Sequence, residues 1–220
     1  MSLKPIFKIA AGMLILLAAL YASYQVVTHS SLGSDLQPGT PIDELNGVVI
    51  FYNGGVNETY GRNLTADGYN LGIRYQCVEF VKRYYFERFG HRMPDAYGHA
   101  KSFFDPALAD GALNTMRGLT QFSNGSSTAP AAEDIIVFSP SLLNPYGHIA
   151  VIAEVNAYAV IIAQQNAGPI LSSREALVLT QSDGHYRIQD ARVLGWLRLP
   201  SSASTSAAAG SAPLSGEEHP

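Results

Sequence analysis

Hydrophobic and polar residues follow three different patterns along this chain of 220 residues. An uncharged, mainly apolar run covers residues 9–28, about the ~20 residues that a helix needs to cross a bilayer. Over residues 76–89 the period is helical, with Val78, Val81 and Tyr85 on one stripe. After residue 124, short apolar runs separated by turn residues are typical of β-strands.

The second half of the domain is predicted to be mostly strand. The approximate bounds are 134–139, 148–154, 158–165, 176–181, 185–188 and 193–199. Before these come a β-rich run at 47–52, a loop rich in Gly and Asn at 53–72, and a less regular second helix at about 98–109. Helices followed by a run of antiparallel strands predict an α+β fold.

The N-terminus has the charge pattern of an export signal. Lys4 and Lys8 precede the apolar run, as in a signal sequence. No good pair of small residues marks a cleavage site near its end. We therefore expect an uncleaved anchor, a single pass through the cell membrane with the two lysines in the cytoplasm and the domain outside. If the segment is cleaved, the protein is secreted.

These patterns divide the chain into four parts. We expect a signal-anchor or signal sequence at 1–29, a turn-rich linker at 30–41, a folded domain at 42–200, and a disordered tail rich in Ser and Ala at 201–220. Hydrophobic residues make up 47% of the chain, enough for one core. The net charge is −4 and no basic cluster occurs, which argues against a nucleic-acid partner.

The chain has one cysteine, Cys77, so an intramolecular disulfide and a four-cysteine zinc site are both excluded. Cys77 lies at the start of the predicted helix, where unpaired backbone N–H groups and the helix dipole favour a thiolate. The same N–H groups can stabilise an oxyanion, and the Gln76 side chain is a candidate second donor. These features favour a nucleophile; the alternative is a cysteine that only fills space in the core.

A thiol nucleophile needs a base, and six histidines are available. His148 is the best candidate because it begins a strand, whereas His99 is better placed to line a substrate cleft. If strands 148–154 and 158–165 form a hairpin, their far ends bring an amide side chain near His148. Depending on the register, this side chain is Gln164 or Asn166, or else Gln165; each amide has an acceptor oxygen that can orient the imidazole.

Five motifs occur in an order that resembles a known family. They are Tyr75-Gln76-Cys77-Val78-Glu79-Phe80, Asn124-Gly125-Ser126, Gly147-His148-Ile149-Ala150-Val151-Ile152, Ala163-Gln164-Gln165-Asn166 and Leu194-Gly195-Trp196. Together they are similar to the CHAP family of cysteine, histidine-dependent amidohydrolases and peptidases. Within that family they resemble the amidase domain of the glutathionylspermidine synthetase/amidases.

The resemblance implies a papain-like α+β fold and a set of site residues, without a metal or an organic cofactor. Cys77 matches the nucleophile, His148 the base and Gln76 the oxyanion-hole neighbour. Gln164 stands where these relatives have a Glu as the third catalytic residue, and Lys82 stands where they have a substrate-binding Arg. The match also implies a substrate loop at 96–100 that lines the cleft. The substrate-binding positions implied by the match are Lys82, Tyr97, Gly98, His99, Ala100 and Asn166.

The predicted reaction is hydrolysis of an amide through a thioester on Cys77. Three hypotheses for the substrate remain open. The resemblance favours a glutathionylspermidine-like amide, whereas a location outside the membrane favours peptidoglycan stem peptides. The third hypothesis is a catalytically weak domain that binds peptides as an envelope scaffold, in keeping with the neutral Gln164.

Overall fold

The computed structural model describes residues 4–29, 35–141, 144–168 and 172–200. The described helices are α1 (Lys4–His29), α2 (Cys77–Phe89) and one 3-10 turn (Ala100–Phe103). The described strands are β1 (Pro41–Leu45), β2 (Val48–Phe51), β3 (Arg62–Leu64), β4 (Asn70–Ile73), β5 (Leu113–Asn114), β6 (Leu119–Ser123), β7 (Ile135–Phe138), β8 (His148–Val155), β9 (Ala159–Ala163), β10 (Arg174–Ser182), β11 (His185–Ile188) and β12 (Val193–Arg198). The predicted tail, 201–220, and positions 30–34 of the predicted linker lie outside the described residues.

Eight of the strands form one antiparallel sheet in the order β11-β10-β9-β8-β7-β12-β6-β5. Two separate hairpins, β1-β2 and β3-β4, precede helix α2, and the second of them leads directly into it. The predicted α+β fold is confirmed. The strands predicted in the second half of the domain are all present, with bounds that differ by a few residues.

Both faces of the central strands are buried. On β7, Ile135 and Val137 belong to one core, together with the buried face of α2. The alternate residues Ile136 and Phe138 belong to a second core around Trp196. Since successive side chains on a strand point to opposite faces, a strand buried on both sides reads as a continuous apolar run. Each large apolar side chain buried in this way contributes ~1.5–3 kcal/mol.

Helix α2 is fixed to the rest of the domain at both ends. Near its start, Gly72 of β4 has φ 132°, and a Cβ there would lie 3.0 Å from the Glu79 Cα. The helix ends at Gly90 in the left-handed conformation, as is common for glycine at this position. Between the ends, the Tyr85 hydroxyl donates to the Glu133 carbonyl at 2.7 Å, just before β7. These contacts hold α2 against β4 and against the segment that precedes β7.

Two predictions for the first half of the domain are wrong. The helix expected at 98–109 is only the 3-10 turn Ala100–Phe103. Asp105 precedes Pro106, and a residue before proline is disfavoured in the helical conformation. The loop expected at 53–72 contains the strands β3 and β4, of three and four residues, which are too short to show a periodic pattern.

Helix α1 contains a segment that is long and apolar enough to cross a membrane. The segment Lys8–Val26 has 19 residues and a mean hydropathy of 1.8, and none of it is buried against the domain. An N-terminal signal sequence has the same length and composition. The apolar helix is therefore a candidate signal or anchor.

Candidate active site

Cys77 follows a sharp turn between β4 and α2. Tyr75 has φ 65°, in the left-handed region that a bulky side chain rarely adopts, and Gln76 is extended. The rings of Phe51 and Tyr60 each lie 5.6 Å from the Tyr75 ring, and this packing holds the turn. The next residue, Cys77, is the first of the helix and is 8% exposed.

The Cys77 thiol lies among backbone amides. Those of Cys77 and Val78 come from the first turn of α2, and that of Ile149 comes from β8. Ile149 follows His148 directly, so the start of the helix and the start of β8 meet at the thiol. Amides that point at this position can stabilise negative charge on sulfur or on an attacked carbonyl oxygen.

His148 is held by the turn before β8 and by an amide from β9. Its predecessor Gly147 has φ 75°, and a Cβ there would lie 2.7 Å from the Phe138 carbonyl oxygen. The Nε2 atom of His148 lies 3.0 Å from Gln164 Oε1. Its Nδ1 atom is shielded from solvent and has no hydrogen-bond partner among the described residues. The hairpin register thus brings Gln164, and not Gln165, to the histidine.

Gln165 and Asn166 point elsewhere. Gln165 is fully buried; its Oε1 accepts from the Phe51 amide at 2.8 Å and its Nε2 donates to Glu79 Oε2 at 2.9 Å. Asn166 has φ 54°, and its Nδ2 donates to Gln76 Oε1 at 2.7 Å. Gln165 therefore joins the sheet to α2, and Asn166 contacts the residue before the cysteine.

The Gln76 side chain is hydrogen-bonded to a neighbouring loop. Its Nε2 donates to the Glu58 carbonyl at 2.8 Å and to the Val56 carbonyl at 3.3 Å. A primary amide has two N–H groups, so both face this loop. A role in the oxyanion hole would require Gln76 to exchange these partners. The backbone amides of Cys77 and Val78, by contrast, already lie at the thiol.

Lys82 is buried and holds the first residue of the predicted substrate loop. Its Nζ donates to the Asn70 carbonyl and, at 2.8 Å, to the Ala96 carbonyl, and lies 4.9 Å from the Tyr69 ring centroid. Burial is the main reason that its pKa is lowered to about 8. In this arrangement the ammonium group anchors the loop.

The loop that Lys82 holds runs beside the segment that precedes His148. Tyr97 is 61% exposed, Gly98 has φ 116°, and Ala100 is buried. The His99 ring lies 4.6 Å from the ring of Tyr146, a residue that sequence reasoning did not single out. The Tyr146 carbonyl accepts from the Lys101 amide at 2.9 Å. The two segments thus form one wall of aromatic side chains two residues from His148.

Burial opposes charge on both candidate catalytic groups. It raises the pKa of the Cys77 thiol, although the three surrounding amides act in the opposite direction. It also lowers the pKa of His148 to about 4, with Gln164 raising and Arg192 lowering that pKa to a smaller extent. At neutral pH these shifts favour a neutral thiol and a neutral imidazole. The helix start alone led us to expect a thiolate, but burial outweighs it.

A separate recess lies on another face of α2. It has a volume of about 360 Å³ and is lined by Glu79, Arg83 and Glu87 together with Phe51 of β2 and other residues. Neither Cys77 nor His148 lines it. Its buried Arg83 already pairs with Glu79 at 2.7 Å. The charged residues of this recess therefore stabilise the domain beside the site.

The sequence of this domain matches a known family. Residues 66–166 match the CHAP domain. The chain carries a CHAP domain. The match begins before α2 and ends after β9, so it contains Cys77, His148 and Gln164.

The curated relatives of this CHAP-domain chain are larger proteins. Glutathionylspermidine synthase of Crithidia fasciculata is 30% identical over 140 residues, which cover 58% of this chain and 19% of that protein. Trypanothione synthetase of the same organism is 32% identical over 106 residues, or 48% and 16%. Bifunctional glutathionylspermidine synthetase/amidase of Escherichia coli (strain K12) is 29% identical over 147 residues, or 62% and 23%.

The chain therefore spans less than a quarter of the length of each of these proteins. The CHAP match and the amidase named in the Escherichia coli relative support a hydrolase of the cysteine amidase/peptidase class.

Proposed function

We propose that the CHAP domain is a thiol amidohydrolase that forms a thioester on Cys77. The observation that carries the proposal is the different hydrogen bonding of the two His148 ring nitrogens. Its Nε2 faces Gln164 at 3.0 Å, while Nδ1 has no partner in the described part of the chain. The residue after His148 contacts the thiol at the start of a helix. A base beside a thiol, oriented by a third group, is the arrangement needed for nucleophilic catalysis.

The reaction begins from the neutral pair. As Cys77 Sγ attacks the amide carbonyl carbon, its proton passes to His148 Nδ1, and the carbonyl oxygen becomes an oxyanion. The first backbone amides of α2 stabilise this oxyanion. His148 then gives its proton to the departing nitrogen, the C–N bond breaks, and an amine leaves. Water, deprotonated by His148, attacks the thioester and releases the acid and the free thiol.

We favour a glutathionylspermidine-like amide as the substrate. Two of the relatives are named for glutathionylspermidine. The region that matches the CHAP domain, residues 66–166, includes the whole of the proposed site. The loop at 96–100, held by Lys82 and flanked by Tyr146, is a suitable wall for the peptide part of such a molecule. Lys82 supports the loop, and Asn166 donates a hydrogen bond to Gln76, the residue before the nucleophile.

Helix α1 favours a second candidate, a peptidoglycan amidase or endopeptidase. If the segment Lys8–Val26 anchors the chain in the cell membrane, or is removed on secretion, the domain lies outside the cytoplasm. Stem peptides of the cell wall are the amides available there. A peptide-binding scaffold with little activity is the third possibility, because the neutral Gln164 stabilises an imidazolium less than a carboxylate does.

One experiment separates these functions. Glutathionylspermidine and purified peptidoglycan are each incubated with the protein and with Cys77→Ala, and the products are measured by mass spectrometry. Spermidine released only by the wild type supports our proposal, whereas soluble muropeptides alone support the cell-wall activity. Tight peptide binding with neither product supports the scaffold.

A further inference from the structure

The amide of Gln164 connects His148 to the carboxylate of Glu175, a residue outside the catalytic pair. Gln164 is 3% exposed, and its Oε1 lies 3.0 Å from His148 Nε2. On its other side, Nε2 donates to the Ser172 carbonyl at 3.0 Å and to Glu175 Oε2 at 3.2 Å. Glu175 lies on β10, where it pairs with Ile162 of β9, two residues before Gln164.

The partners of the Gln164 nitrogen determine which way the amide points. A carbonyl and an ionised carboxylate can only accept hydrogen bonds, so both require the NH₂ end of the amide. The oxygen end must then face His148. Since an amide oxygen can only accept, the proton of the neutral imidazole lies on Nε2. This leaves the lone pair on Nδ1, the nitrogen that has no hydrogen-bond partner among the described residues.

Glu175 also brings the negative charge that Gln164 lacks. Arg192 lies close enough to act electrostatically on both His148 and Glu175, and it opposes a positive imidazole. Arg192 pairs with Asp190 at 2.8 Å, which offsets part of its charge. The Cys77 thiol lies next to the amide of Ile149, the residue that follows His148. Of these groups, Glu175 is the one joined to the imidazole through a single amide, so its charge favours the imidazolium that forms during attack.

We propose that Glu175 is a positioning residue for His148, acting through Gln164 to fix the imidazole tautomer and to stabilise the imidazolium. This inference rests on the proposed amidohydrolase function. It assigns to this chain a four-membered series, Cys77–His148–Gln164–Glu175, in which the carboxylate is one hydrogen bond farther from the base than in a three-residue arrangement.

The rate at which iodoacetamide alkylates Cys77 at neutral pH tests this directly, without any amide substrate. The reagent is uncharged, so removing Glu175 does not change its attraction to the site. Glu175→Gln in the full chain should slow alkylation roughly tenfold, because it makes proton transfer from Cys77 to His148 less favourable. Glu154→Gln, which removes an exposed carboxylate from β8, should alkylate at the wild-type rate. A variant whose fold is merely loosened would expose the thiol and react faster.

Two further variants make the test specific to the series. Gln164→Glu combined with Glu175→Gln moves the charge next to His148 and should restore the rate. In a His148→Ala background, Glu175→Gln should have no further effect. An unchanged rate in Glu175→Gln, or a slowing that persists without His148, would overturn the proposal. If this pattern holds while no amide is cleaved, the positioning role stands and the proposed hydrolase function fails.

Discussion

Gln164 and Gln165 are adjacent in the chain, and their replacement by alanine should have different effects. Gln164→Ala removes the acceptor for His148 Nε2, so the ring loses its preferred tautomer and orientation. We expect kcat to fall roughly 10- to 100-fold, a rise of ~1.4–2.8 kcal/mol in the activation free energy. The folded state should lose about 1–3 kcal/mol, because buried polar groups are left without partners. Gln164→Glu should retain activity.

Gln165→Ala should act on stability instead. Its side chain is fully buried and makes three hydrogen bonds, to the Phe51 amide at 2.8 Å, the Gln76 carbonyl at 3.0 Å and Glu79 Oε2 at 2.9 Å. Two neutral bonds and one to a carboxylate together give a loss of about 3–5 kcal/mol in the free energy of unfolding. The fraction that remains folded should keep a kcat close to that of the wild type.

Urea unfolding and steady-state kinetics on the same preparations separate the two effects. Gln181→Ala, at an exposed position on β10, is the matched control and should change neither quantity. The reasoning is refuted if Gln164→Ala has wild-type kcat while folded Gln165→Ala is inactive. That outcome would mean that the other amide orients His148.

Three other predictions follow from the site and from α1. The pKa of His148 is lowered from 6.5 to about 4 in the folded state, so protonation favours the unfolded chain. The free energy of unfolding should therefore fall as pH drops from about 6.5 to about 4, and it should fall less steeply in His148→Ala. Urea titrations at each pH measure this difference. An equal slope in both proteins contradicts the assignment. Lys82→Ala should mainly raise KM, because it releases the Ala96 carbonyl and loosens the substrate loop; a pure kcat effect argues against this. Full-length protein should stay in washed membranes with its first residues intact, and free mature protein starting near residue 23 would show that the segment is a cleaved signal.

The parts of the fold that the sequence predicts are those with long periodic patterns. Helix α2 is predicted almost to the residue, because thirteen residues complete several turns of the apolar stripe. Strands β7, β8, β9 and β12 are predicted because each contains consecutive buried apolar residues. The hairpin β3-β4 was missed since three- and four-residue strands show no period. The second, less regular helix expected at about 98–109 ends after one turn at Phe103.

For the site, the sequence predicts the two chemical groups better than their surroundings. Cys77 stands out because it is the only cysteine in the sequence and begins a helix. His148 stands out because it begins a strand. Which of the neighbouring amides meets His148 depends on the hairpin register, and β8 and β9 contain an irregularity between Ile152 and Glu154. Glu175 could have been found only by extending that register to β10.

Contacts with distant loops could not be predicted from the sequence. The Gln76 amide is taken up by the carbonyls of Val56 and Glu58, and the Lys82 ammonium by that of Ala96, all in irregular segments. The neutral state of the catalytic pair has a similar origin. It results from burial of both groups by the whole domain, and no single motif encodes that burial.

The central claim is that amide cleavage passes through a thioester on Cys77. Mixing the protein with glutathionylspermidine, quenching with acid within one turnover and measuring the intact mass tests it most directly. We predict that the chain gains the mass of the glutathionyl acyl group, located by peptide mapping to Cys77, and that Cys77→Ala gains none and releases no spermidine. Release of spermidine at an undiminished rate by Cys77→Ala would contradict the account.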